Sequence, residues 1–267
     1  ISLNGSYNKN EVGNIPTSDG IIHGAGDELY NNASEFYRAE NGQPIGYFWG
    51  YKTAGIFQNT QEIDEWRAVG NGILQSNVQP GDVRFVDRNH DGQINDKDKV
   101  NLGNGTPDFT LGLNLGFVYK GFDFSIVANG AFGQQIVQSY RNHTRPTPNY
   151  TTAILDRWHG EGTSNRIPRV TDSNINYQFS DLFIQNGDYL RLSTLTLGYD
   201  FAKLFKGKAV SQARLYFQVQ NLFTITGYDG MDPEIGFGSS NNSWVSGLDY
   251  GYYPRPRTVL VGVNLKF

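Results

Sequence analysis

The chain of 267 residues has no cysteine and one methionine, and only 18% of its residues are charged. Without cysteine there is no disulfide scaffold, thiolate zinc site or thiol nucleophile. No run approaches the ~18 consecutive apolar residues that a membrane-crossing helix needs, so a helical membrane protein is excluded. A net charge of −4 and a pI near 5.6 supply no basic footprint for nucleic acid. The four histidines, His23, His90, His143 and His159, are never three or four residues apart, which argues against a zinc or histidine-based catalytic site. No G-x-S-x-G, phosphate loop or dinucleotide fingerprint occurs in a strand–helix context. With 26 acidic residues in the chain, picking a carboxylate pair for glycoside hydrolysis carries no information, and no enzymatic activity is expected.

What is present is an unusual mixture. There are 32 glycines and 14% aromatics, yet the mean hydropathy is −0.48. Alternation accounts for both. In the last stretch Val259, Val261, Val263, Leu265 and Phe267 fall on one face, and Thr258, Leu260, Gly262, Asn264 and Lys266 on the other. Phe109–Tyr119 sets Leu111, Leu113, Leu115 and Phe117 against Thr110, Gly112, Asn114 and Gly116. A Lys120-Gly121 connection leads into 122–137, and Gly at its second position suits a tight hairpin turn. Residues 189–201 and 213–226 alternate in the same way; 1–9 and 46–57 are weaker candidates. The pattern predicts about seven strands in all.

The connections are more telling than the strands. From Lys120-Gly121 onward short and long links alternate: roughly fifty loop residues follow 122–137, a shorter link runs through Lys206-Gly207-Lys208, and about thirty residues precede the last strand. Sandwiches have short links at both ends; long loops on one side and short turns on the other are the asymmetry of an outer-membrane barrel. The polar face, rich in Asn, Gln, Thr and Gly, suits a wet lumen, and Tyr199, Phe201 and Phe267 read as girdle residues. The odd strand count and the strand-like opening at Ile1, with no signal peptide, lead to the expectation of a carboxy-terminal part of a larger barrel.

Several motifs, in order along the chain, resemble the SusC/RagA-type TonB-dependent transporters. They are Gly81–Asp98, Gly103-Asn104 with Pro107-Asp108-Phe109, Gly112–Phe117, Tyr189-Leu190-Arg191-Leu192 with Leu197-Gly198-Tyr199, Asn221-Leu222-Phe223, Asp232-Pro233-Glu234, and Tyr253-Pro254-Arg255-Pro256-Arg257 before a Phe-terminated strand. The resemblance is weakest over 10–45. It implies an all-β, 22-stranded transmembrane antiparallel barrel of which residues 1–267 are the carboxy-terminal part, with the plug domain outside this chain. It also implies outer-membrane import of oligosaccharides or peptides with a SusD-like surface lipoprotein, driven by the TonB complex, in a Bacteroidetes-type bacterium. The alternative from the residues alone is a secreted calcium-binding β-sandwich adhesin or carbohydrate-binding module.

Two sets of site residues stand out. Asp87–Asp98 fits D-x-[DN]-x-[DN]-G with an acid at position 12, the spacing that turns alternate oxygens toward a Ca²⁺ ion. Asp87, Asn89 and Asp91 would supply side-chain oxygens, Gln93 its carbonyl, Asn95 a direct or water-mediated contact, and Asp98 the closing carboxylate. Asx-turn chemistry accounts for the same residues without metal. In the long loops, Trp158, Trp244, Tyr250 and Tyr252 are candidate substrate contacts, because aromatic faces stack on sugar rings; loop-on-loop packing and partner contact are the competing roles.

Overall fold

The computed structural model describes residues 1–29, 33–69, 75, 77–139, 151–202, 210–236 and 243–267. In chain order its elements are β1 (Ser2–Tyr7), β2 (Ile21–His23), β3 (Tyr37–Glu40), β4 (Tyr47–Gly50), β5 (Thr53–Ile56), α1 (Thr60–Val69), β6 (Val83–Phe85), β7 (Val100–Asn104), β8 (Phe109–Tyr119), β9 (Phe122–Phe132), β10 (Gln135–Gln138), β11 (Ile184–Asn186), β12 (Tyr189–Asp200), β13 (Gln212–Thr226), β14 (Leu248–Asp249) and β15 (Thr258–Lys266). Six of these strands form one antiparallel sheet in the order β1-β8-β9-β12-β13-β15. Three smaller sheets, β2-β3-β4-β7, β5-β6 and β11-β10-β14, build a cap on the long-loop side.

The large sheet follows from alternation. Directly opposed residues put Leu115, Ile126, Leu195, Val219 and Val259 in one apolar row across five strands, and Phe117, Phe124, Leu197, Phe217 and Val261 in the next. The row on the opposite face reads Gly116, Ser125, Thr196, Gln218 and Leu260. The apolar face is the one left open: Phe117 is 59% and Val261 70% exposed. β8 and β9 are joined by Lys120 (φ 48°) and Gly121 (φ 91°), two left-handed residues in succession, as a type I′ turn requires.

One irregularity keeps the faces consistent. Leu190 and Leu192 are out of phase with Leu195 and Leu197 in a strict two-residue period. The register of β12 shifts between Leu192 and Thr194 against both neighbours. This bulge around Ser193 returns all four leucines to the apolar face. At the same level in β13, Asn221 adopts φ 51°, a conformation Asn tolerates better than most side chains. Its Nδ2 donates to the Pro256 carbonyl at 3.0 Å.

Aromatics bracket the apolar band. Tyr7, Phe109 and Phe132 lie at the cap end. Phe117, Tyr119, Phe122 and Tyr199 lie at the turn end, where the Phe122–Tyr199 and Tyr199–Phe201 ring centroids are 4.4 and 4.6 Å apart. Phe267 is 84% exposed at the same end. From Phe109 to Phe117, eight residues on, a strand runs roughly 27 Å. A tilt of roughly 40° reduces that to about 21 Å, close to the ~25 Å apolar band of outer-membrane barrels.

Two strand expectations need correction. Residues 46–57 do not join the large sheet, which therefore holds six strands and not seven. The segment splits into β4 and β5, and its apolar residues Tyr47, Phe48, Ile56 and Phe57 are buried inside the cap. Gly50 is the reason β4 packs so closely: a Cβ there would fall 2.7 Å from the Phe179 carbonyl oxygen. Similarly, 122–137 is not one strand: Gly133, at φ 84°, ends β9 and redirects the chain into β10 of the cap. The Lys206-Gly207-Lys208 link and His143 lie outside the described residues.

The cap has a core of its own. Leu29, Phe36, Tyr37, Phe48, Leu102, Val137, Phe179, Val245 and Leu248 are buried together, drawn from segments more than 200 residues apart. A second cluster joins Tyr51, Val83 and Phe85, and a third joins Phe57, Ile63 and Val78. The long loops are thus packed on one another.

Candidate functional site

The cap is held to the sheet by charge. Arg191 stands on β12 with 3% of its surface exposed. Its Nη2 donates to Asp232 Oδ1 at 2.5 Å and its Nε to Thr224 Oγ1 at 3.1 Å. Its Nη1 is 3.2 Å from Glu234 Oε2, an ion pair without hydrogen-bond alignment. Glu234 also accepts from Arg255 Nη2 at 2.8 Å. The Asp-Pro-Glu motif and the Arg255 region are therefore two arms of one clamp on the sheet.

A second buried carboxylate organises the 81–98 motif. Asp82, fully buried, accepts from Arg169 Nε at 2.8 Å, Asn176 Nδ2 at 3.0 Å and the Gln79 amide at 2.8 Å. Gly81 (φ 93°) lies under the Trp158 ring, where a Cβ would collide.

The Asp87–Asp98 loop follows β6. Asp98 is fully buried; its Oδ1 accepts from Arg88 N at 2.8 Å and its Oδ2 from Asn95 N at 2.8 Å. Asn89 and Asp91 accept the amides two residues on, at 3.0 Å each. Asp87 Oδ2 accepts from Gly92 N at 2.9 Å, while its Oδ1 is buried without a partner among the described residues. His90 and Gly92 are both left-handed, at φ 58° and 81°. Asn89 Nδ2, donating to Asp91 at 2.8 Å, helps hold the Asp91 carboxyl below the usual range, with backbone donation from Gln93 adding to it. Among the described residues no three His, Asp or Glu side chains converge as a metal cluster.

Three of the four candidate aromatics share one region. The Trp244 ring is 5.5 Å from Tyr37 and packs on the first core cluster. Tyr250 donates its hydroxyl to Glu28 at 2.6 Å, and its ring centroid is 6.5 Å from that of Tyr252. Tyr252 is 42% exposed. Trp158 packs elsewhere, on Gly81, and donates to Gln58 Oε1 at 3.2 Å.

Sequence reasoning singled out Asp232-Pro233-Glu234, Arg191 and Arg255 separately but not their joining. It missed the lining of a cavity of about 390 Å³ beside β10 and β11, which includes Lys52, Gln134, Gln135 and Gln185. Those residues come from three distant segments and carry no local pattern.

On the cap's outer face His23 lies between two carboxylates: Nδ1 is 2.9 Å from Glu35 and Nε2 is 3.1 Å from Asp19. The bond to Glu35, then that to Asp19, raises the imidazole above its ordinary 6.5, against nearby Arg38 and slight burial. The His23 contact is the main reason Asp19 is lowered to about 2. A raised folded pKa means that the stabilisation from His23 is fully present below about pH 6.5 and is lost as pH rises through the folded value. Wild-type melting temperature is expected to fall across that rise, and His23→Gln to flatten the fall. A pH-independent difference between the two melting curves would contradict this.

No protein-family model matches the chain. Over its whole length it is 32% identical to TonB-dependent receptor P3 of Formosa agariphila, of which it covers 26%. It is 28% identical to TonB-dependent receptor SusC of Bacteroides thetaiotaomicron, covering 24% of that protein. The chain thus spans about a quarter of the length of these curated relatives. A solved structure of the RagAB peptide transporter superposes on 99% of the chain with a TM-score of 0.69 at 20% identity, using 26% of that chain, which establishes likeness of fold.

Proposed function

Because the chain is a portion of a SusC/RagA-type TonB-dependent receptor, we propose that it forms one sector of a closed, 22-stranded outer-membrane barrel that imports nutrient oligomers. The oligomers are oligosaccharides or peptides; a SusD-like surface lipoprotein covers the cap, and TonB drives import through a plug outside this chain. The observation that carries the reading is the six-stranded sheet itself. One face is apolar, open and bracketed by aromatics, the other is polar, and long loops are gathered at one end, an arrangement that fits lipid outside and water inside. A sandwich strand would instead bury its apolar face against a second sheet, so the adhesin alternative fits less well. The relatives are receptors, which supports a role without catalysis, and no residue is assigned one.

The test is uptake by cells expressing the full receptor with its lipoprotein partner. Accumulation of an oligosaccharide or peptide pool is expected to require both the receptor and TonB. Uptake unchanged by deletion of the receptor would refute the proposal.

In the same reading the 87–98 loop is a calcium brace. Asp87 is the supporting observation: Gly92 holds one of its oxygens, and the other is buried with no donor among the described residues, so a cation would complete it. Asn89, Asp91, Gln93, Asn95 and Asp98 would supply the remaining oxygens. By analogy with extracellular modules the Kd is on the order of 10⁻⁴–10⁻³ M. Calorimetric titration with CaCl₂ is expected to show one such site, abolished by Asp87→Asn. No heat at millimolar calcium would refute it.

A further inference from the structure

On the outer face of the cap one segment is held with little burial. Residues 10–25 follow β1 and include β2, and only Ile15 among them is buried. They are zipped to the turn after β3 by bonds near the surface. Ile45 N donates to Asn10 Oδ1 at 2.8 Å, Val12 N to the Gln43 carbonyl at 2.8 Å, Gly42 N to the Val12 carbonyl at 3.0 Å and Ile15 N to Asn41 Oδ1 at 2.9 Å. β2 adds three paired residues at the edge of its sheet. A segment with few buried apolar contacts and mostly exposed hydrogen bonds opens at a small fraction of the global unfolding free energy. Among the described ion pairs, the one that ties this segment to the rest of the cap is His23 with Glu35, at 2.9 Å.

The charged groups facing His23 are Asp19 on its own segment, at 3.1 Å, Glu35 ahead of β3, and Arg38 on β3, which shares Glu35. Glu40, opposite Ile21, is turned to the Tyr47 hydroxyl. Each ring nitrogen of His23 meets a carboxylate, which only accepts, so both bonds exist only while both nitrogens carry protons. Beneath the segment lies Tyr37, fully buried, with its ring 5.5 Å from that of Trp244. Ala25 N donates to Tyr37 Oη at 3.2 Å, and Gly24 is pressed so close that a Cβ would fall 2.9 Å from the Tyr37 ring. We propose that residues 10–25 are a pH-governed strap, latched over Tyr37 by the His23 imidazolium and released when the imidazole loses a proton. Release bares the Tyr37 ring and leaves β3 as the open edge of its sheet. The two carboxylates raise the imidazole above its ordinary 6.5, so the strap is closed in acid and opens as pH climbs through the folded value. Neither import nor calcium enters this inference.

The test is hydrogen–deuterium exchange of the full-length receptor in detergent micelles. It is run at about pH 6 and about pH 8.5, on either side of the ordinary histidine range, with labelling times scaled to the intrinsic exchange rates. Peptides spanning 12–25 and 37–40 are expected to lose about three- to fivefold in protection at the higher pH, the scale set by exposed ion pairs. Peptides from β12 and β13 are expected to hold theirs. His23→Arg, which keeps a cation between the carboxylates at either pH, is expected to stay protected at both. His23→Gln is expected to show the reduced protection at both, and either variant alone decides the matter. Equal wild-type protection at the two pH values, or a pH-dependent loss that persists in either variant, would overturn the strap.

Discussion

Arg191→Ala is expected to destabilise the protein by about 3–5 kcal/mol, because it removes one partner of a buried ion cluster and strands the others. Arg191 is 3% and Asp232 8% exposed, so water cannot take the place of the guanidinium. The substitution also leaves Thr224 Oγ1 without its donor from Nε and unpins the Asp-Pro-Glu segment from β12. Arg191→Lys is expected to recover only part of the loss, since an ammonium lacks the forked donors that reach Asp232, Glu234 and Thr224 together. The control is Arg255→Ala, whose 56%-exposed side chain makes a pair with Glu234 worth about 1 kcal/mol or less. Urea unfolding of the variants in detergent micelles decides the matter: an Arg191→Ala midpoint as close to wild type as that of Arg255→Ala would mean that the clamp is not what holds the cap.

Val261→Arg is the second large effect, and it tests what surrounds the sheet. Val261 lies near the middle of β15, is 70% exposed and faces the same side as Phe217. If that face met water, a charged residue there would change stability by no more than about 0.5 kcal/mol. Against lipid near the bilayer midplane the cost is about 2–4 kcal/mol. The matched control is Gln220→Arg on the opposite face, where Gln220 is opposed by Thr194 and Thr258 and a wet lumen accepts charge. Unfolding in lipid vesicles is expected to separate the two variants by at least 1 kcal/mol. Equal stabilities would contradict a lipid-facing surface.

Much of the large sheet was legible because its information is local. Alternation in 109–119 and 122–132 placed the residues on their faces, and Lys120-Gly121 announced the turn between them. The segment 46–57 was misplaced for a non-local reason. Its Phe48 and Phe57 look like strand residues bound for a large sheet, but Phe48 is buried with Val137, Phe179, Val245 and Leu248, and Phe57 with Ile63, Trp66 and Val78. Nothing near residue 50 in the chain encodes those neighbours. The bulge at Ser193 shows the complementary limit: the leucine phase break is visible in the sequence, but a strand end and a bulge would produce it equally. Among the site residues, the Asp87–Asp98 spacing was readable because a single loop holds it. The clamp and the cavity were not, since each gathers side chains from separate segments.

The sequence by itself determined the alternation, and with it a sheet with one apolar and one polar face, the position of the Lys120-Gly121 turn and the asymmetry of the loops. Period-2 patterning acts between adjacent residues, so it survives without any tertiary contact. Only the tertiary structure decided that the long loops form a cap with its own core, that Arg191 binds Asp232 and Glu234, and that Lys52 and β11 line one cavity. Each of these depends on burial shared between residues tens to hundreds of positions apart, and shared burial exists only once the chain has folded.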